Sequence, residues 1–118
     1  MKALIAKLFI LLGWTVFIEE LLCDVLACRI KKHPRRLVGG EADRSTRNIV
    51  QNVSRDFCRG CDVVLVVVTD EALRLAVSRK LNRALPRKLR TRVAVMTIAR
   101  VERTIKRLES SRSAGAET

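Results

Sequence analysis

The six residues from Val63 to Val68, VVLVVV, decide how this chain folds. This run contains no polar residue, so it has no side that favours water. A strand that is apolar at every position has to be covered on both of its faces. The run therefore predicts a strand in the middle of a sheet, with helices on each side.

Amphipathic segments flank this strand in the sequence. Before it, Ser45 or Thr46 is expected to cap a helix that extends to about Phe57 and is broken by CRGC at 58–61. After it, residues 71–85 carry apolar side chains at helical spacing and end at Pro86. The first helix is predicted to bury Ile49, Val50, Val53 and Phe57 and to expose Arg47, Asn48, Gln51, Asn52 and Arg55.

Further outward, the pattern predicts a helix at 3–12, strands at 14–18, 25–30, 36–43 and 93–98, and a last helix marked by Val101, Ile105 and Leu108. The order αβββαβαβα predicts a single α/β domain over residues 1–110, with a flexible tail at 111–118. Because the first helix begins almost at Met1, the chain is also compatible with a piece of a longer reading frame.

The charge of the chain points to a polyanionic partner. It has 24 Lys and Arg residues against 12 Asp and Glu residues, a net charge of +12. Such a charge is most useful opposite nucleic acid, and an anionic membrane surface is the second choice. An aromatic content of 3% argues against modules that stack bases on exposed rings.

The cysteines and the apolar N-terminus bear on location. Four cysteines are too few for a disulfide scaffold, so we expect reduced thiols in a cytoplasmic protein. Cys23 and Cys28 would point to opposite faces of a strand, which argues against a four-thiolate zinc site with Cys58 and Cys61. The first eighteen residues imitate a signal peptide, but acids follow them where small neutral residues belong. A small exported or membrane-attached basic protein is the alternative that this segment leaves open.

A hairpin between the second and third strands brings acidic residues together. If its turn is centred on Lys32-His33, Asp24 lies directly opposite Glu41, and Asp43 shares their face of the sheet. Glu20, at the end of the first strand, is a lesser member. Carboxylates this close repel one another unless a cation lies among them, and oxygen ligands suit Mg²⁺ or Mn²⁺. We therefore expect a metal site formed by these acids.

The same residues resemble the core of the PD-(D/E)XK nuclease superfamily. The resemblance lies in Gly13-Trp14-Thr15-Val16, in Asp24 and in Val38-Gly39-Gly40-Glu41-Ala42-Asp43. That core has the order αβββαβ, with an acid at the start of its second strand and an E-x-K triplet at the end of its third. The resemblance covers residues 3–70 and implies a restriction endonuclease-like core, a mixed central sheet flanked by helices, with a C-terminal β-α extension.

The resemblance implies a metal-dependent endonuclease or exonuclease that acts on DNA. In this chain Asp24 and Glu41 match the acids of the motif, and Asp43 stands where the family has Lys. That Lys orients the attacking water and offsets charge in the transition state, and an Asp can ligate a metal but cannot donate positive charge. A catalytically inactive, basic nucleic-acid-binding module of the same fold is therefore the alternative. Neither function requires a small-molecule cofactor, and both are compatible with a homodimer.

Basic and amide side chains near the predicted site are candidates for contacts with nucleic acid. Those nearest to it in the sequence are Lys31, Lys32, Arg44, Arg47, Asn48 and Gln51. The basic ones among them could also replace the missing Lys. A second phosphate-contacting region is expected around Pro86, where Lys and Arg are dense from Arg74 to Arg92.

Overall fold

The computed structural model describes residues 2–12, 15–18, 25–29, 36–43 and 45–117. Its helices are α1 (Lys2–Leu11), α2 (Ile49–Cys58), α3 (Glu71–Ala84), α4 (Arg87–Arg90) and α5 (Ile98–Glu117). Its strands are β1 (Thr15–Ile18), β2 (Val25–Arg29), β3 (Arg36–Asp43), β4 (Val63–Val68) and β5 (Val93–Thr97). The predicted elements are all present, and the short α4 after Pro86 is additional. Helical backbone continues to Glu117, while the flexibility of segment 111–118 stays a prediction.

The five strands form one mixed sheet in the order β1-β2-β3-β4-β5. The first two pairings are antiparallel, and the pairings of β3 with β4 and of β4 with β5 are parallel. The carboxyl ends of β3, β4 and β5 therefore meet at one edge of the sheet. The chain is an α/β protein, as the sequence predicts.

The predicted register of the hairpin between β2 and β3 is confirmed over the described residues. Val25 pairs with Gly40, Leu26 with Gly39, and Arg29 with Arg36. Asp24, which this register would place opposite Glu41, lies outside the described residues, so that pairing stays a prediction.

Strand β4 is covered on both faces, as its apolar run predicts. Val64, Val66 and Val68 pack with residues of α2 and α3, whereas Leu65 and Val67 pack with residues of α1 and α5. All five of these β4 side chains are buried. Burying one such side chain contributes about 1.5–3 kcal/mol, so β4 anchors both helical layers.

The first turn of α2 begins later than the sequence predicts. The expected cap by Ser45 or Thr46 is wrong, because the N-cap is Asn48, in a left-handed conformation with φ 61°. The Ser45 hydroxyl instead accepts a hydrogen bond from the Arg47 N–H at 3.2 Å, which closes a local turn. Asn is one of the few non-glycine residues that tolerate such a conformation. At the other end, Gly60 with φ 101° follows the helix, as the CRGC break predicts.

Helix α3 is capped by a side chain. The Asp70 carboxylate accepts a hydrogen bond from the Leu73 N–H at 2.8 Å and satisfies one donor of the first turn. In the part of the chain that the structure describes, no helix is both long and apolar enough to cross a membrane.

Candidate functional site

Several of the predicted site residues lie outside the described part of the chain: Glu20, Asp24, Lys31, Lys32 and Arg44. Asp43 is the last residue of β3, and its backbone pairs with Val68 of β4. Its side chain also lies outside what the structure describes. Glu41 is the predicted metal ligand whose side chain is described.

Glu41 is a buried carboxylate near the carboxyl end of β3. Only 3% of the residue is exposed, and its backbone pairs with Val66 in the centre of the sheet. The next residue, Ala42, packs against the cluster formed with α1 and α5, so Glu41 lies on the opposite face, under α2. Burying a charged group is costly unless a partner compensates for it, so the neighbours of Glu41 decide its role.

Arg55 of α2 is a neighbour that the sequence did not reveal. Its Nη2 atom lies 3.9 Å from Oε1 of Glu41, and its side chain is 36% exposed. The partial exposure of Arg55 agrees with its predicted place on the polar side of α2, and its contact with Glu41 of the sheet is additional to that prediction. At this distance the contact is too long for a hydrogen bond, and the two groups attract through their charges.

Asp56 of α2 is a second buried carboxylate, in addition to Glu41 of β3. It is fully buried, and its Oδ2 atom would lie 3.2 Å from a Cβ atom added at Gly39. The Cys61 Sγ atom would lie 3.1 Å from the same position. At Gly39, α2 and the turn after it thus approach the sheet closely. Helical spacing could have found Asp56, because it lies three residues after Val53, on the buried side of α2.

The arrangement of these groups is a buried acid with a partly exposed guanidinium 3.9 Å from it, near the carboxyl end of β3. No family model, curated protein or solved structure matches this chain. A carboxylate at such an edge can ligate a cation, and a guanidinium beside it can stabilise negative charge on a phosphate. Ligand sites in open α/β sheets lie outside the carboxyl ends of the strands, and β3 ends at Asp43, two residues after Glu41.

Metal-ligating side chains are not grouped in the part of the chain that the structure describes. No group of three or more His, Cys, Asp or Glu residues in that part of the chain could hold a metal ion. The predicted Mg²⁺ or Mn²⁺ site includes Asp24 and the side chain of Asp43, which lie outside it. The three-carboxylate site therefore stays a prediction. Cys61 is buried and Cys58 is exposed, and neither is in a disulfide.

The predicted nucleic-acid contacts that the structure describes are accessible to solvent. Arg47, Asn48 and Gln51 are all exposed, in the loop after β3 and in the first turn of α2. The left-handed Asn48 joins this loop to the helix. These exposed side chains follow Asp43 closely in the sequence, whereas Glu41 is buried beneath α2.

One ion pair sets the charge at the start of α3. The Arg74 Nε atom donates hydrogen bonds to both carboxylate oxygens of Glu71, at 2.9 and 2.8 Å. These bonds hold the pKa of Glu71 below its ordinary value and raise the pKa of Arg74. Arg74 is thereby partly neutralised within its own helix.

Proposed function

We propose that this chain is a nuclease-like domain that binds DNA, with Mg²⁺ or Mn²⁺ held by Asp24, Glu41 and Asp43. The observation that carries the proposal is Glu41, a buried carboxylate near the carboxyl end of β3 with a guanidinium at 3.9 Å. The order of α1, β1, β2, β3, α2 and β4 supports the resemblance to the αβββαβ core of the PD-(D/E)XK superfamily. The net charge of +12 supports a polyanionic substrate.

The three proposed ligands, Asp24, Glu41 and Asp43, are all carboxylates, and such ligands suit a hard divalent cation. Carboxylate oxygens are the ligands that Mg²⁺ prefers, and the observed register of β2 against β3 supports a close approach of the two strands at this end. A bound Mg²⁺ or Mn²⁺ would polarise the phosphate and lower the pKa of a bound water. The role of the protein groups is to hold this cation and to orient the phosphodiester.

Asp43 stands at the position of the family's Lys, and Arg55 supplies the positive charge that this Lys would provide. The Arg55 guanidinium lies 3.9 Å from the buried Glu41 carboxylate and is partly exposed to solvent. It can therefore also contact a phosphate at the surface of the protein. A guanidinium stays protonated at any physiological pH, so Arg55 can offset transition-state charge but cannot accept a proton. We infer that Arg55 stabilises charge and that the attacking water has to be activated by the metal.

The test is cleavage of plasmid DNA with Mg²⁺ or Mn²⁺, with EDTA as the control for metal dependence. Asp24→Asn and Glu41→Gln should each abolish cleavage, and Arg55→Gln should reduce it. Asp43→Lys restores the family's usual triplet and should keep or raise activity. Glu102→Gln is the matched control, because it removes an exposed carboxylate from α5, in the other helical layer.

The second candidate is an inactive nucleic-acid-binding module, which the Asp at position 43 favours. Binding of duplex DNA by wild type without cleavage in any divalent metal would decide for this module. Cleavage by wild type that persists in both Asp24→Asn and Glu41→Gln would reject the assigned site. We also propose a cytoplasmic location, and recovery of the protein in the membrane or exported fraction of cells would contradict it.

A further inference from the structure

A groove with a basic lining lies between the loop after β3 and helix α3. Its lining residues are Thr46, Ala76, Arg79, Lys80 and Arg83. None of these five residues is acidic, and the three cations are all exposed. The three cations belong to the basic stretch from Arg74 to Arg92, in which the sequence predicts a second phosphate-contacting region.

The geometry of α3 concentrates these cations. Arg79 and Arg83 are four residues apart, so they project from the same side of the helix on successive turns. The Arg83 Nε atom donates to the Arg79 carbonyl at 3.4 Å, which lays its side chain along the helix. Ala76, one turn earlier, is small and leaves the groove open.

A contact between distant parts of the chain forms the other wall. The Lys80 ammonium donates a hydrogen bond to the Thr46 carbonyl at 2.9 Å. This bond ties the loop after β3 to α3, and the loop begins directly after Asp43. Lys80 has three donors, of which this bond uses one.

Like charges one helical turn apart repel each other, and an anion between them relieves that repulsion. At the start of the same helix, Arg74 is matched by Glu71. By contrast, Arg79, Lys80 and Arg83 line the groove together without an acid among its lining residues. The two guanidinium groups suit a tetrahedral oxyanion, because each presents a planar fork of donors.

We propose that this groove binds a backbone phosphate of the DNA that occupies the Glu41 site. This inference rests on the proposed function and names the surface that receives the DNA next to the scissile phosphate. The loop connects the two places, since it follows the last residue of β3 and contributes Thr46 to the groove wall. The groove positions the duplex, and the acids carry the chemistry.

The experiment compares two charge-matched double variants. Arg79→Gln with Arg83→Gln removes the groove cations, and Arg103→Gln with Arg107→Gln removes two exposed cations at the same spacing from α5, in the other helical layer. Binding of a fluorescein-labelled duplex is measured by anisotropy between about 50 and 200 mM salt. Because both pairs are exposed, we expect both variants to fold, and thermal unfolding by circular dichroism checks this.

The groove variant should make the slope of log K against log salt less steep by about 1 and weaken binding by about 10- to 100-fold, as expected when the contacts with one phosphate are lost. The α5 variant should leave the slope within about half a unit of wild type. Arg79→Lys with Arg83→Lys keeps both charges and should retain the slope.

Each contrary result overturns a different statement. Equal losses in the groove and α5 variants would mean that net charge alone governs binding, which overturns the groove and leaves the proposed function standing. Binding of a polyglutamate peptide that depends on the groove, with DNA binding unaffected, would overturn its assignment to phosphate. A wild-type protein that binds no DNA would overturn the proposed function itself.

Discussion

Replacing Glu41 by Gln separates a chemical role of this carboxylate from a structural one. The side chain of Glu41 is 4% exposed and that of Arg55 is 36% exposed, so the two members of the pair differ in their access to water. At an effective dielectric constant of about 20, unit charges 3.9 Å apart attract by about 4 kcal/mol. Removing a carboxylate from water costs several kcal/mol, which offsets most of this attraction.

We therefore expect Glu41→Gln to change the free energy of unfolding by less than about 1 kcal/mol. Its partner Arg55 keeps enough contact with water to remain solvated. Arg55→Gln should be the more damaging change, because it removes the attraction of a cation for a buried carboxylate, and a cost of up to about 4 kcal/mol, reduced by the contact of Arg55 with water, is expected. Urea unfolding of both variants, with the slope of the transition checked against wild type, measures these two free energies.

On the proposed function, Glu41→Gln should lose metal-dependent cleavage while it binds DNA as tightly as wild type or more tightly. The reason is that Gln cannot hold the cation as a carboxylate does, and the loss of a negative charge eases the approach of a polyanion. Plasmid cleavage and anisotropy binding on the same preparation give the two measurements. A Glu41→Gln variant that is destabilised as strongly as Arg55→Gln, and whose folded fraction still cleaves, would refute the chemical role.

Further predictions concern stability and pH. Gly39→Ala should destabilise the fold by about 1–3 kcal/mol, because the new Cβ would lie 3.1 Å from the Cys61 Sγ atom; an unchanged urea midpoint would contradict this. Asp70→Ala should cost about 1 kcal/mol through loss of the α3 cap, whereas Asp70→Ser, which can still cap, should cost less in the same assay. Arg74→Gln should raise the pKa of Glu71 toward its ordinary value, as followed by carboxyl NMR shifts. The pKa of Glu71 is lower in the folded chain than in the unfolded chain. The stabilisation from the Glu71–Arg74 pair is therefore present above the unfolded pKa and is lost as the pH falls through the folded pKa. A Glu71 pKa that is unchanged in Arg74→Gln would disprove the assignment.

The position of each strand and helix was largely predictable from local pattern. The VVLVVV run at 63–68 requires cover on both faces, and the two observed clusters supply it. The register of β2 against β3 is the one predicted for a turn centred on Lys32-His33, which is a local property of the sequence. Alternation then assigns Glu41 and Ala42 to opposite faces of β3, as the structure has them.

The surroundings of the candidate site were decided only by tertiary structure. Side-chain spacing assigned Arg55 to the solvent side of α2, but the helix lies over β3 at Gly39, where no Cβ keeps it away. The Lys80 bond to Thr46 joins residues that are 34 positions apart, and no local pattern encodes such a contact. Periodicity specifies which side of an element is apolar, whereas the distance between two packed elements depends on the size of the side chains between them. That distance decided which charges of this chain came to lie beside Glu41.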